Sequence, residues 1–154
     1  MIMGDLLSEG SIAPRVCAVG KRHVLSIVAG TASRAFALDA PSVFAALVRG
    51  ESAKATGVGH GAAMPHARVA GLLRMRAVFL RLEAPVEFDA IDDEPVDLVF
   101  ALLAPLGAGC EYLLALARMS RRLRQAHLRE QLRHANGGDV IHALLAQETL
   151  ASAA

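Results

Sequence analysis

Apolar residues recur at helical spacing from Arg22 to Phe36, where Val24, Ile27, Val28 and Phe36 fall on one side. The pattern predicts a helix over 22–36, with Gly30 as its weak point. Asp39 stands as an N-cap and Pro41 falls close to the next first turn. That second helix carries Val43, Phe44, Leu47 and Val48 on one side and is expected to end near Gly50. From Met75 to Leu82, Ala77 and Phe79 alternate against Arg76 and Arg81, which predicts a strand that Pro85 breaks. Val86 to Ile91 reads as a short extended segment ending at Asp92 and Asp93. Val96 to Leu103 is apolar apart from Asp97, as expected of a strand buried on both faces. Pro105 and the glycines at 107 and 109 end it.

Three more helices are predicted: Tyr112 to Leu123, with Leu113, Leu116 and Met119 as core positions, then Gln125 to His134, then Asp139 to Leu145. The first twenty residues read as an irregular start with a short strand near Arg15–Ala18. Helices and strands alternate, so the expected fold class is α/β, with a mixed or mostly parallel sheet.

Composition narrows the class. The chain has 154 residues, which fits a single domain over 1–154. It is 54% hydrophobic and 20% charged, enough to bury a core and unlike a disordered chain. A net charge of +1 gives no field for nucleic acid or an anionic membrane. Two cysteines, Cys17 and Cys110, fit a reducing cytoplasm. The start lacks the basic and apolar regions of a signal peptide, and no apolar run approaches the roughly 20 residues a membrane span needs. A cytoplasmic protein without membrane insertion is expected.

The candidate chemistry lies between the second helix and the first long strand. There the chain reads Thr56-Gly57-Val58-Gly59-His60-Gly61-Ala62-Ala63-Met64-Pro65-His66. Glycine lets backbone approach a ligand closely, and proline fixes the chain just before the histidine. A neutral imidazole is a nucleophile at cellular pH, since free histidine titrates near pH ~6.5. It can attack phosphorus while backbone N–H groups receive the phosphoryl oxygens, and a following helix start would add partial positive charge. Equally, histidine after proline can cap a turn or bond a backbone carbonyl.

Other chemistries fit less well. The segment lacks the Gly-Lys-Ser/Thr ending of a nucleotide-binding P-loop and the strand and acidic partner of a dinucleotide fingerprint. His60 and His66 have no cysteine or carboxylate at metal-ligand spacing, so no metal is expected. Asp89, Asp92, Asp93 and Asp97 cluster, and turn capping before the buried strand explains them better than general-base work. His23, His127, His134 and His142 fall in predicted helices and read as structural or solvent-facing.

The glycine–histidine segment resembles the active loop of phosphotransferase-system enzyme IIA proteins of the fructose/mannitol type. A second segment, from Phe88-Asp89-Ala90-Ile91-Asp92-Asp93-Glu94-Pro95 to Pro105, resembles the nitrogen-regulatory branch of that family. The resemblance covers nearly the whole chain. It implies a mixed, mostly parallel five-stranded sheet flanked by helices on both faces. It implies that His66 accepts a phosphoryl group on Nε2 from a small histidine phosphocarrier protein. No cofactor is implied. Nitrogen-regulatory members act through partner proteins, which the sequence does not name; sugar uptake and a binding module without phosphotransfer are the rival functions. A homodimer through exposed apolar helix faces is also open.

The resemblance also implies a second histidine at the start of the helix after the buried strand, where this chain has Tyr112. His60 stands where asparagine is usual and is a candidate to replace the lost imidazole. Arg49 is placed to reach the phosphoryl group, although the segment from Arg49 to Thr56 is one residue longer than the family pattern. Thr56, Gly59 and Gly61 complete the expected phosphoryl support, and Arg68 is a candidate for docking the acidic side of a partner.

Overall fold

The structure, a computed structural model, describes residues 3–147. Strands are β1 (Ile12–Val16), β2 (Gly57–Gly59), β3 (Ala62–Ala63), β4 (His66–Val69), β5 (Arg76–Val86) and β6 (Val96–Pro105). Helices are α1 (Lys21–Phe36), α2 (Ala40–Ala53), α3 (Cys110–Leu123), α4 (Ala126–His134) and α5 (Gly138–Ala146). The sheet order is β1-β5-β6-β3-β2, and β4 also pairs with β6. β3 and β4 therefore run along the same side of β6, so six strand segments fill five positions. β1–β5, β3–β6 and β4–β6 are parallel, while β5–β6 and β2–β3 are antiparallel. The α/β class and the mixed, mostly parallel sheet agree with the sequence reading.

Strand side chains alternate between two faces. Ala77 and Phe79 of β5 join Leu98, Phe100 and Leu102 of β6 against Met119, Leu123, Leu132 and Ile141 of α3, α4 and α5. Val78, Leu80, Val99, Ala101 and Leu103 face the other way, onto Val24, Val28, Val43 and Leu47 of α1 and α2. β6 is buried from Leu98 to Ala104, as the apolar run after Asp97 predicts.

Several expectations are corrected. Pro85 does not end β5, which runs on to Val86. The ladder shifts register between Arg81 and Val86, so proline's missing N–H falls in a bulged stretch. Val86 closes β5 instead of opening an extended segment. β1 begins at Ile12, earlier than expected, and admits Pro14 because it is an edge strand.

Arg81 does not alternate against Phe79; its odd number puts it on the same face. Its guanidinium donates to the carbonyls of Pro14 (2.9 Å), Leu132 (2.9 Å) and Ala135 (2.7 Å), joining β1 and β5 to the end of α4. In α3 Met119 is buried and Leu116 packs against the core, as expected, but Leu113 is 61% exposed and Tyr112 is buried in its place.

α2 continues past its expected stop. Asp39 caps it, accepting from the Ser42 N–H at 3.1 Å. Gly50, read as a terminator, lies inside the last turn, and its reason is proximity. A Cβ there would sit 3.1 Å from the His66 carbonyl oxygen.

Candidate functional site

The segment read as a glycine loop is a short hairpin followed by a strand. β2 and β3 are joined by His60 and Gly61, with φ of 56° and 83°. Two central residues with positive φ match the right-handed twist of a hairpin. Asparagine, aspartate and histidine enter that region more readily than other side-chain-bearing residues. At Gly61 any side chain would also run into the Arg133 guanidinium.

His60 is held by its backbone. Its N–H donates to Asp92 Oδ2 at 2.8 Å, and its carbonyl accepts from Arg133 Nη2 at 2.7 Å. Arg133 in turn pairs with Asp97 at 2.9 Å. Asp92 also accepts from the Glu94 N–H, and these two backbone bonds, His60 first, hold its carboxyl below the usual range. Asp92 thus caps the turn, as read from sequence, while Asp97 binds an arginine. All of this lies at the start of β6, since Ala62 pairs with Leu98 and His66 with Leu102. The structure therefore does not bring His60, Gly59 or Gly61 to the imidazole of His66.

Pro65 separates β3 from β4. Its carbonyl accepts from the Leu102 N–H at 2.9 Å, and the Met64 N–H donates to the Thr56 carbonyl at 3.0 Å. The Met64 carbonyl is then free of the β6 ladder. It lies 2.8 Å from Nδ1 of His66. A carbonyl only accepts, so Nδ1 carries a proton, and in the neutral ring Nε2 then keeps its lone pair. His66 is half-buried and opens a strand rather than preceding a helix. The nearby helix start is that of α3.

Tyr112, in the first turn of α3, meets His66 edge-on with ring centroids 6.2 Å apart. It is 4% exposed, and burial pushes its phenol above the ordinary value, so it stays a neutral O–H donor. Arg68, exposed on β4, stacks 4.7 Å over the Tyr112 ring and donates from Nε to the Ala108 carbonyl at 3.0 Å. Arg68 thereby clamps β4 to the start of α3 and still presents its outer nitrogens. Arg49 is exposed, next to the Gly50 that abuts His66.

Thr56 does not face His66 with its hydroxyl. Its O–H donates to Glu51, and its N–H reaches Glu51 Oε2 at 3.3 Å. Glu51 is only 8% exposed and pairs with Lys21 at 2.7 Å. Gly50, Glu51, Lys21 and the Met64 carbonyl escaped the sequence reading. The one available signal was Gly50, a glycine within a stretch otherwise suited to helix.

Fold and site together define an α/β protein that presents a histidine, fixed at Nδ1, from a strand beside the central β6. Residues 5–148 match the family model for the phosphoenolpyruvate-dependent sugar phosphotransferase system, EIIA 2. The chain belongs to that family. A nitrogen regulatory protein of Bradyrhizobium diazoefficiens is 36% identical over 146 residues, covering 95% of each chain. One from Pseudomonas aeruginosa is 36% identical over 142 residues, covering 92% of each. The crystal structure of nitrogen regulatory protein IIA-Ntr from Neisseria meningitidis superposes with a TM-score of 0.87 at 32% identity, over 92% of this chain and 97% of that one. Within the family, the chain is similar to the nitrogen regulatory members.

Proposed function

We propose that this protein is a cytoplasmic phosphoryl-accepting regulator. His66 takes a phosphoryl group on Nε2 from a histidine phosphocarrier protein, and partner proteins read whether it is occupied. The observation that carries this reading is the 2.8 Å contact from Nδ1 to the Met64 carbonyl, which leaves Nε2 as the nucleophile. In the transfer, the Nε2 lone pair forms the new bond to phosphorus, and the bond to the donor breaks with its electron pair leaving on the donor. The imidazole gains positive character as it does so, and the Met64 carbonyl stabilises the Nδ1 proton. Tyr112 and the exposed cations Arg68 and Arg49 are suited to the phosphoryl oxygens or an acidic rim. Leu106, Leu113 and Leu114 are exposed at the end of β6 and the first turns of α3, an apolar surface beside the site for the donor to cover.

Regulation rather than uptake is supported by the nitrogen regulatory relatives, which match over nearly their whole length. The second reading, sugar uptake, is motivated by the family's sugar phosphotransferase description. Incubation with phosphoenolpyruvate, enzyme I and the phosphocarrier, followed by intact mass, tests the acceptor. One acid-labile phosphoryl group is expected, and it is lost in His66→Ala. Onward transfer from the phosphorylated protein to a sugar-permease IIB domain would favour uptake. No gain beside a competent control protein would leave a binding module.

A further inference from the structure

Glu51 is placed against two electrostatic rules. It lies in the last turn of α2, where the helix dipole disfavours an anion, and it is 8% exposed. Its partner Lys21 is the first residue of α1, where the dipole disfavours a cation. The two misplaced charges meet at 2.7 Å, and Lys21 also reaches Asp89 at 3.4 Å and lies over the Phe88 ring. A buried pair of this kind is a poor source of stability, so its use lies in what it fixes.

What it fixes is a chain of bonds ending on His66. Glu51 accepts both the hydroxyl and the N–H of Thr56. The Thr56 carbonyl accepts the Met64 N–H at 3.0 Å, and the Met64 carbonyl accepts Nδ1–H of His66 at 2.8 Å. Each bond fixes the backbone of the residue it meets, so the chain passes position from Glu51 to the Met64 carbonyl. From the other side, Gly50 sets the backbone of His66, because α2 closes on the His66 carbonyl.

We infer that Glu51 is a positioning residue for His66: through Thr56 and the Met64 peptide it holds the imidazole in the tautomer whose Nε2 is free to attack. This rests on His66 being the acceptor. Neutral histidine can carry its proton on either nitrogen, and only the Nδ1–H form is a nucleophile at Nε2. Thr56 supports the phosphoryl site in this way from behind the imidazole rather than by touching phosphate. Glu51 does not face the donor, so its loss acts on the rate at saturating donor and not on donor affinity.

The test uses the full chain with Glu51→Gln, Thr56→Val and Thr56→Ser. Two-bond proton–nitrogen correlation spectra report the His66 tautomer without any phosphoryl donor. The unaltered protein is expected to show the Nδ1–H form. Glu51→Gln and Thr56→Val are expected to show a mixture, and Thr56→Ser, which keeps the hydroxyl, to restore the single form. In the transfer assay the first two variants should lose about five- to tenfold in limiting rate at unchanged KM for the phosphocarrier, the size of one net hydrogen bond. A single Nδ1–H tautomer and unaltered rates in both would overturn the inference. A variant that does not fold leaves the other to decide, because each breaks a different link. If the unaltered protein takes no phosphoryl group, the acceptor reading fails, and the tautomer spectra still decide the part played by Glu51.

Discussion

Gly50 faces the main chain of His66: a side chain at Gly50 would put its Cβ 3.1 Å from the His66 carbonyl oxygen. Alanine is better than glycine in a helix by about 1 kcal/mol, whereas overpacking a close contact costs about 1–3 kcal/mol. The balance is a loss of up to about 2 kcal/mol, so Gly50→Ala is expected to destabilise modestly. The contact is to backbone, so relief comes by displacing β4, and phosphoryl uptake is expected to slow several-fold. Thermal melting and the phosphorylation rate, read together, check this; an unchanged rate would show that β4 accommodates the methyl group without moving the imidazole.

Tyr112→Phe should keep the edge contact with His66 and the stacking of Arg68 while removing the phenol. Transfer is expected to slow without stopping, measured as the initial rate of phosphoryl gain. The same variant has a signature in alkali. Burial raises the phenol of Tyr112, so the folded form holds its proton beyond the point where the unfolded chain loses it. Its contribution to stability is full below about pH 10 and falls as the pH climbs through the folded value. Alkaline unfolding should therefore begin later in Tyr112→Phe, and an identical alkaline limb would contradict this.

His60→Asn tests whether His60 serves the turn or the chemistry. Asparagine suits positive φ and a two-residue hairpin, so the fold should be unharmed and the transfer rate unchanged. His60→Ala should destabilise by about 1 kcal/mol, from the left-handed backbone it must adopt. A rate loss shared by both variants, with intact stability, would return the imidazole to the site.

Asp92 is the acidic counterpart of that turn. Its lowered carboxyl, held by the N–H groups of His60 and Glu94, lends support above its unfolded value of about pH 3.9. That support is lost as the pH falls through the folded value. The protection factor of the His60 amide, its exchange rate relative to an unstructured chain at the same pH, should fall in Asp92→Ala at neutral pH and on acidification of the unaltered protein. Equal protection in both would remove Asp92 as the clamp.

Arg81→Met should cost about 2–3 kcal/mol in chemical denaturation, because carbonyls of Pro14, Leu132 and Ala135 lose a charged donor together. A loss under about 0.5 kcal/mol would mean that water takes over these carbonyls.

Much of the fold was legible because its long elements have clear periods. β6, α1, α4 and α5 lie within a residue or two of their expected spans. β2, β3 and β4 were not legible, since two to four residues carry no period and β3 and β4 pair with distant β6. In α3 Met119 is buried as expected, but Leu113 was read inward and is exposed like Leu114, while Tyr112 turns inward. His66 is singled out by its segment, but the groups around it are not: a glutamate late in a helix ordinarily looks solvated, and a backbone carbonyl leaves no mark in a sequence.

Pro65 has a consequence for anyone who would make this protein sturdier. It stands in the gap between β3 and β4, where its carbonyl already meets β6 and its missing N–H leaves the ladder one bond short. A substitution that restored that N–H would extend the parallel ladder on β6 and would score as an improvement in any screen for heat resistance. It would also loosen the fixed φ that sets the Met64 peptide against the ring of His66. Selection on stability alone is thus expected to blur the placing of the imidazole, with His66 itself untouched.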